Sequence, residues 1–385
     1  MFLYLIRYFQ SIIYYSNDNN YNKGLFFTDP QIRCNLYAIG KMFYLWHKPH
    51  YRNINFQQDL KQNLSDVVLP YTCIPLSFFC YSRYLMYIFV FIIYPTICFF
   101  TSFSINLEKW NNNFYNYLFK PDNWFIYWRL NCLLVSLHSY KTKSTDYKLE
   151  DKWAFTELAK KKNISVCDYL EIEKLFVKHR NKEGGMGCHI FKNAISNGDW
   201  LIQKVYKNSK FITNLIGDDA PLSTFRIVTK NNRYMSNQPD KCDINTLTCV
   251  FRAGLPNAKT DHNSILFNIE KDTGKFVYGK DNSKWYKVSL DLFKNEKNHN
   301  NLISKFNNIS VKNFDRITNL AETAHKKLVP NIPIAGWDIA MVSEDINYKD
   351  GDIFLLEGNF SCNLYNGIFS KIEYYSFLEN EFLNL

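Results

Sequence analysis

The pattern that most constrains this 385-residue chain lies near its C-terminus. Two apolar runs, residues 337–342 and 353–356, flank a polar stretch that contains Gly351. Apolar runs on either side of such a turn predict an antiparallel hairpin with a moderately long loop. Asp338 falls near the start of the first strand. Glu357 and Asn359 fall at the end of the second, two residues apart and therefore on one face. Three oxygen-bearing side chains would then converge on that face. A hard cation such as Mg2+ takes such a set and keeps waters and substrate phosphates in its other positions. The same residues also read as the ordinary polar ends of a hairpin, so the rest of the chain has to decide.

A chain of this length holds two or three domains, and 46% hydrophobic residues are enough for a sizeable core. Tyr (27) and Phe (32) are unusually many. Asn and Lys are dense throughout, as an AT-rich coding sequence would give, so a single Lys or Tyr says little. The net charge of +10 suits an anionic substrate, a nucleic acid or an acidic membrane surface. No basic run interleaved with stacking aromatics reaches the density of a nucleic-acid groove, and nucleic acid is set aside as a partner. Ten Cys occur without a CxxC pair or a Cys/His zinc spacing. No signal-peptide cleavage pattern follows the apolar start, which Arg7 interrupts. Reduced thiols in a cytoplasmic protein are the expectation.

Residues 1–66 alternate aromatic clusters with Asn-rich stretches and carry no motif. The segment 67–107 differs: its only formal charge is Arg83, and 84–107 has none. Twenty-odd uncharged apolar residues can span a bilayer as a helix, and 84–103 is long enough. Residues 67–82, broken by Pro70 and Pro75, do not make a second span. Three readings of 67–107 stay open: a transmembrane helix, an anchor lying on a membrane surface, or the buried core of an aromatic-rich helical domain. Residues 108–146 form a helical connector with Trp110, Phe114 and Leu118, then Trp124 and Trp128, at core-like helical spacing.

From Tyr147 the character changes, and 147–385 reads as one further domain. Acidic Glu150 and Asp151 lead into an amphipathic helix that begins near Lys152 and ends at Asn163. A short β-type run, 174–179, carries Lys178 near its end. Gly184, Gly185 and Gly187 then form a turn before a second strand at 188–191. A glycine-rich loop between two strands is a flap whose free N–H groups can close over phosphates. It is neither a P-loop nor a Rossmann turn, because no GK[ST] and no strand–GxGxxG–helix order is present. A plain mobile hairpin is the alternative. An apolar strand opens at Trp200 and meets polar residues at Gln203 and Lys204. The strands 223–229 and 247–253 carry Arg226 and Arg252. An Arg among apolar strand neighbours is rarely buried without an anionic partner, although both also read as sheet-surface residues. Residues 295–308 read as a polar loop, and 314–328 as an amphipathic helix with His325 on its surface or at its cap.

In this order the parts resemble the ATP-grasp superfamily, nearest to its sugar-transfer-associated branch, over about residues 147–364. LEDKWAF resembles the opening motif whose lysine, here Lys152, reaches the nucleotide. LFVKH with EGGMG resembles the strand lysine and phosphate flap: Lys178, Gly184, Gly185 and Gly187. LIQKV resembles the hinge strand that holds adenine, here Gln203, Lys204 and Val205. STFRIVT and FRAG with DHN resemble the arginine strands, giving Arg226, Arg252, Asp261 and Asn263. GWDIA with LLEGN resembles the metal hairpin of Asp338, Glu357 and Asn359. Lys204 stands where many relatives carry Glu, and Ser264-Ile265-Leu266 where relatives often have glycines.

The resemblance implies an α+β fold of two lobes clamping ATP, preceded by the helical, aromatic-rich N-terminal region. It implies an ATP- and Mg2+-dependent (or Mn2+-dependent) carboxylate–amine ligase acting through an acyl phosphate, in polysaccharide or cell-surface glycan biosynthesis. In that reading Arg226 and Arg252 are catalytic, and Asp261 and Asn263 face the substrate. The partners are small-molecule or saccharide-linked carboxylates and amines, with a membrane surface reached through 67–107. A phosphotransferase on the same fold and a non-catalytic membrane-associated scaffold are the alternatives.

Overall fold

The computed structural model describes residues 1–23, 26–69, 72, 74–178, 188–195, 198, 200–234, 243–262, 264–281, 300–365 and 367–385. Gly184, Gly185, Gly187 and Asn263 lie outside the described residues. Along the chain the strands are β1 (Tyr169–Leu170), β2 (Ile172–Lys178), β3 (Cys188–Ala194), β4 (Ile202–Gln203) and β5 (Thr224–Asn231). They continue as β6 (Ile244–Gly254), β7 (Ser264–Ile269), β8 (Phe276–Asp281), β9 (Ile334–Val342) and β10 (Asp352–Asn359).

The C-terminal hairpin is β9–β10, and it forms one edge of a six-stranded sheet in the order β10-β9-β5-β6-β7-β8. Every neighbouring pair in that sheet is antiparallel. Period-two alternation divides its faces. Phe225, Ile227, Trp337 and Phe251 are buried in the main core, which they share with Ile317, Ala321 and Ala324 of helix Asp315–Leu328. Thr224, Arg226, Arg252 and Asp338, which alternate with them along the strands, belong to the opposite face. One face is a hydrocarbon core and the other gathers charge.

His325 is fully buried, which corrects its reading as a surface or capping residue. Its Nδ1 lies 2.7 Å from Thr229 Oγ1 and its Nε2 2.9 Å from the Ile332 carbonyl. Two shorter elements also differ from the sequence reading. The strand after Trp200 is only Ile202–Gln203, and the polar stretch 295–308 contains helix Asn300–Lys305. Apolar composition there is too brief for periodicity to register.

The N-terminal region is helical and aromatic, so the chain has an α+β organisation. Helix Trp124–Thr142 runs through its centre and is buried at every position from Leu130 to His138. Helix Arg83–Thr101 is continuous through one π turn, Phe89–Ile93, placed just before Pro95. Proline lacks the N–H of a regular turn and its ring displaces the carbonyl below, so the ladder resets there. The C-terminal helix Lys371–Leu383 packs back on helix Pro30–Leu45, where Arg33 and Glu379 form a buried ion pair at 2.6 Å. One hydrophobic cluster therefore runs from Tyr8 to Phe382 through both the helices and the sheet.

Burial shapes the pH response of this core. It holds His50 and His325 down at about 4 and His138 at about 3. An unfolded histidine protonates near 6.5, so below that pH the unfolded chain takes up protons that the fold refuses. Stability from these three groups is full above pH 6.5 and is lost as pH falls towards 4. Burial also lifts Glu381 to about 7 against the opposing Arg233, and that group works the other way between pH 4.5 and 7. The three histidines outweigh Glu381 by up to about 3 kcal/mol per pH unit, and the Glu150 and Asp261 carboxyls, which burial also raises, oppose them. The urea midpoint is expected to be lower at pH 5 than at pH 7, and His325→Gln to shrink that difference.

Candidate functional site

Strand register sets the charged face. Arg226 on β5 stands directly opposite Asp338 on β9, and Asp338 stands opposite Glu357 on β10. One row across three strands thus reads cation, carboxylate, carboxylate. A β-bulge between Leu355 and Glu357 resets β10 there. On the far side of β5, Thr224 pairs with Arg252 of β6.

Asp338 is enclosed. Arg226 grips it with Nε on Oδ1 and with Nη2 on Oδ2 at 2.9 Å, and Arg252 Nη2 reaches Oδ2 at 3.0 Å. Burial pushes this carboxyl up, but Arg226 and then Arg252 outweigh burial and hold it down at about 2. The same Arg252 nitrogen lies 3.1 Å from Asp261 Oδ2, and its Nε donates to Thr224 Oγ1 at 2.8 Å. Burial pushes the Asp261 carboxyl up, with Arg252 opposing. Tyr365 caps both guanidinium groups, its ring 5.4 Å from Arg226 and 6.0 Å from Arg252. Gly336 is what lets the Arg226 stem pass. A Cβ there would stand 2.7 Å from Cys362 Cβ and 3.2 Å from Arg226 Cδ.

Glu357 is held differently. Lys152 Nζ lies 2.9 Å from its Oε2, and Asn359 Nδ2 donates to its Oε1 at 3.2 Å. The Glu357 carboxylate, beside the amine, raises the Lys152 pKa. Lys152 opens helix Lys152–Lys161, whose N-cap Asp151 accepts from the Ala154 N–H at 2.8 Å. The preceding Glu150 accepts the Phe360 N–H at 2.9 Å, one residue beyond Asn359, and pairs with Arg52 at 3.3 Å. Arg52 also binds both oxygens of Asp59 at 3.0 Å.

A cleft of about 960 Å³ opens beside this face. Lys152, Arg252, Asp261, Asp338 and Glu357 line it together with the segment carrying Gln203, Lys204 and Val205. Its size falls at the upper end of small-molecule sites. Lys204 ion-pairs with Asp345 of the β9–β10 loop. Arg226 and Asn359 stand beside the cleft, not on its wall, and Lys178 ends β2 opposite Cys188.

Glu357 and Asn359, both partly exposed, carry the oxygen type a hard divalent cation takes. Glu357 accepts here from Lys152 and from the Asn359 amide, so both side chains would have to turn to hold it. Asp338 departs from the three-ligand expectation, because its two oxygens already accept three N–H groups from two arginines. Among the described residues no group of three or more His, Cys, Asp or Glu could hold a metal. The sequence reading gave no site role to Glu150, Arg52, Tyr365 or Gly336, although Glu150 lies within LEDKWAF and Gly336 opens GWDIA.

No family model and no curated protein matches the chain. Among solved structures it is similar to the N5-carboxyaminoimidazole ribonucleotide synthetase from Thermotoga maritima. Identity is 11% and the TM-score 0.27, over 58% of this chain and 44% of that one. The match thus spans less than half the length of that structure, and a likeness this loose carries no argument about activity.

Removing one partner of a buried ion pair strands the other charge. Asp338→Asn is expected to cost about 3–5 kcal/mol in urea unfolding. Glu357→Gln, at a partly exposed position, is expected to cost under about 1 kcal/mol.

Proposed function

We propose that this chain is an ATP-grasp enzyme, an ATP- and Mg2+-dependent carboxylate–amine ligase that works through an acyl phosphate in polysaccharide or cell-surface glycan assembly. The observation that carries this reading is the cleft. It brings Lys152, the 203–205 segment, Arg252, Asp338 and Glu357 to one cavity from four separate parts of the chain.

Charge balance supports a metal–triphosphate occupant. At the sheet end Lys152, Arg226 and Arg252 are matched by Asp261, Asp338 and Glu357, so the group is neutral as it stands. A triphosphate entering a neutral, partly buried site needs added positive charge. The other lysines of the cleft are offset, Lys204 by Asp345, Lys210 by Glu344, and Lys207 and Lys259 by Asp218 and Asp219 on the same wall. The added charge would therefore come from Mg2+ held by Glu357 with Asn359. Mg2+ held there would supply neutralisation of phosphate charge, which phosphoryl transfer needs more than covalent help.

The chain's own residues divide the remaining work. Lys152 would direct its ammonium to the phosphates when Glu357 turns to the cation. Arg252, the arginine on the cleft wall, would bind the transferred phosphoryl group or the substrate carboxylate. Arg226, with no place on that wall, would hold Asp338 and through it the direction of Arg252. The 203–205 segment would offer backbone groups to the adenine edge. The glycan assignment rests on the order of the sequence motifs.

Calorimetric titration with ATP and Mg2+ is expected to show binding that Lys152→Met weakens about tenfold or more. With ATP, Mg2+, a uronic acid and hydroxylamine as the trapping amine, hydroxamate and inorganic phosphate should appear in equal amounts. No nucleotide binding would end the proposal. A stable phosphate ester in place of the hydroxamate would make the protein a phosphotransferase.

A further inference from the structure

The apolar segment 81–107 forms no part of the cleft. Its helix, Arg83–Thr101, is the one among the described residues long and apolar enough to cross a bilayer, yet only 22% of its apolar window is buried. A core helix of a soluble protein would be mostly covered. Exposure is also ordered. Tyr84 (80%), Ile88 (45%), Ile92 (60%) and Phe100 (70%) follow a four-residue spacing, with exposed Thr96 completing the row. Each four-residue step advances about 40° around an α-helix, so the row winds slowly along the exposed side. Beyond the helix, Phe103, Ile105 (96%) and Leu107 extend the same uncharged surface.

The opposite face is packed along its length. The Tyr8 hydroxyl donates to the Val90 carbonyl at 3.3 Å, and the Phe9 and Phe91 rings lie 5.4 Å apart. Phe43 stacks on Tyr87 at 4.3 Å, and Trp110 Nε1 donates to the Phe99 carbonyl at 3.2 Å. A membrane span would have to tear these contacts out, whereas a helix lying flat keeps all of them.

We propose that this face is a docking surface for a bilayer rich in anionic phospholipid, with the helix lying in the interface and not crossing it. Charge complementarity selects that occupant. The basic group of residues 81–107 is Arg83, partly exposed at the start of the row with its guanidinium over the Tyr87 ring. Arg7 is exposed on helix Phe2–Tyr15, which packs against the same helix. Glu108 and Lys109 beyond Leu107 balance each other, and the whole chain carries +10. An interfacial helix buries its apolar face at the headgroup–acyl boundary and gains from basic groups near anionic lipid. A protein partner would ask for roughly one hydrogen bond per 100–200 Å². The row from Tyr84 to Phe100 offers only the Tyr84 and Thr96 hydroxyls over about 24 Å of helix. The inference is independent of the nucleotide reading.

The test is co-sedimentation of the full chain with phosphatidylcholine–phosphatidylglycerol vesicles and with pure phosphatidylcholine vesicles. The wild-type protein should partition more strongly into the anionic vesicles, and raised salt should narrow that difference. Ile92→Asp/Phe100→Asp should weaken partition about tenfold or more, with far-UV circular dichroism unchanged. The uncharged pair Ile92→Gln/Phe100→Gln should weaken it in the same direction. Alkaline carbonate should release the bound protein. Partition equal in wild type and variants would overturn the proposal. So would retention after carbonate, which marks a span, or a solution dimer abolished by the same substitutions, which marks a second copy as the occupant.

Discussion

A carboxylate buried between two guanidinium groups is the constraint on which the charged side of this protein depends. Taking Asp338, Arg226 and Arg252 out of water costs several kcal/mol per ion, and only close, directional pairing offsets that cost. The pairing exists only in one register of β5, β6 and β9, since a one-residue slip would turn each of these side chains into the hydrocarbon face. Polar residues at these positions therefore specify the sheet as firmly as its apolar residues stabilise it. The same interaction leaves Arg252 on the cleft wall with its guanidinium already oriented, and leaves Arg226 behind it. Gly336 and Tyr365 belong to this arrangement, one by giving way to the Arg226 stem and the other by covering both cations.

A second knot of charge ties the helical region to the end of the hairpin. Arg52 joins Asp59 to Glu150, and Glu150 holds the backbone just past Asn359. Two residues further along the chain from Glu150 stands Lys152, which meets Glu357. The position of the cleft lysine and that of the hairpin carboxylate are thus set by one network, rooted in residues well before the sheet. Asn131 extends the connection, since its amide donates to the Cys362 carbonyl at 3.0 Å and accepts from the Tyr374 hydroxyl at 2.8 Å. The helices and the sheet share a hydrophobic core, and these polar contacts fix how they meet.

Much of this was legible residue by residue. The hairpin could be read from apolar runs around a glycine-bearing turn. Helix Lys152–Lys161 could be read from acidic Glu150 and Asp151 before its first turn and from the amphipathic spacing after them. The need of Arg226 and Arg252 for anionic partners followed from their apolar strand neighbours. Other features had no local signature. His325 looks like a surface residue on an amphipathic helix with basic neighbours, and only the sheet beneath makes it a buried, neutral hydrogen-bond bridge. The exposed row on helix Arg83–Thr101 could not be told from a buried core or a bilayer span by composition, because all three need the same apolar residues.

By itself the sequence determined which residues carry charge, where the C-terminal hairpin and helix Lys152–Lys161 lie, and that oxygen ligands and strand arginines occur near phosphate-binding types of side chain. Those are properties of local pattern, and local pattern follows from backbone geometry and side-chain chemistry. Tertiary structure alone decided which charges meet. Arg226 and Asp338 are far apart along the chain, and whether Asp338 faces a cation or a guanidinium depends on strand order and register. That choice makes the β9–β10 hairpin not a set of three equal oxygen ligands but a buried counter-ion, Asp338, beside two partly exposed side chains, Glu357 and Asn359. Pairing energy in a low-dielectric setting depends on ångström-scale geometry, and no count of residues along a chain contains it.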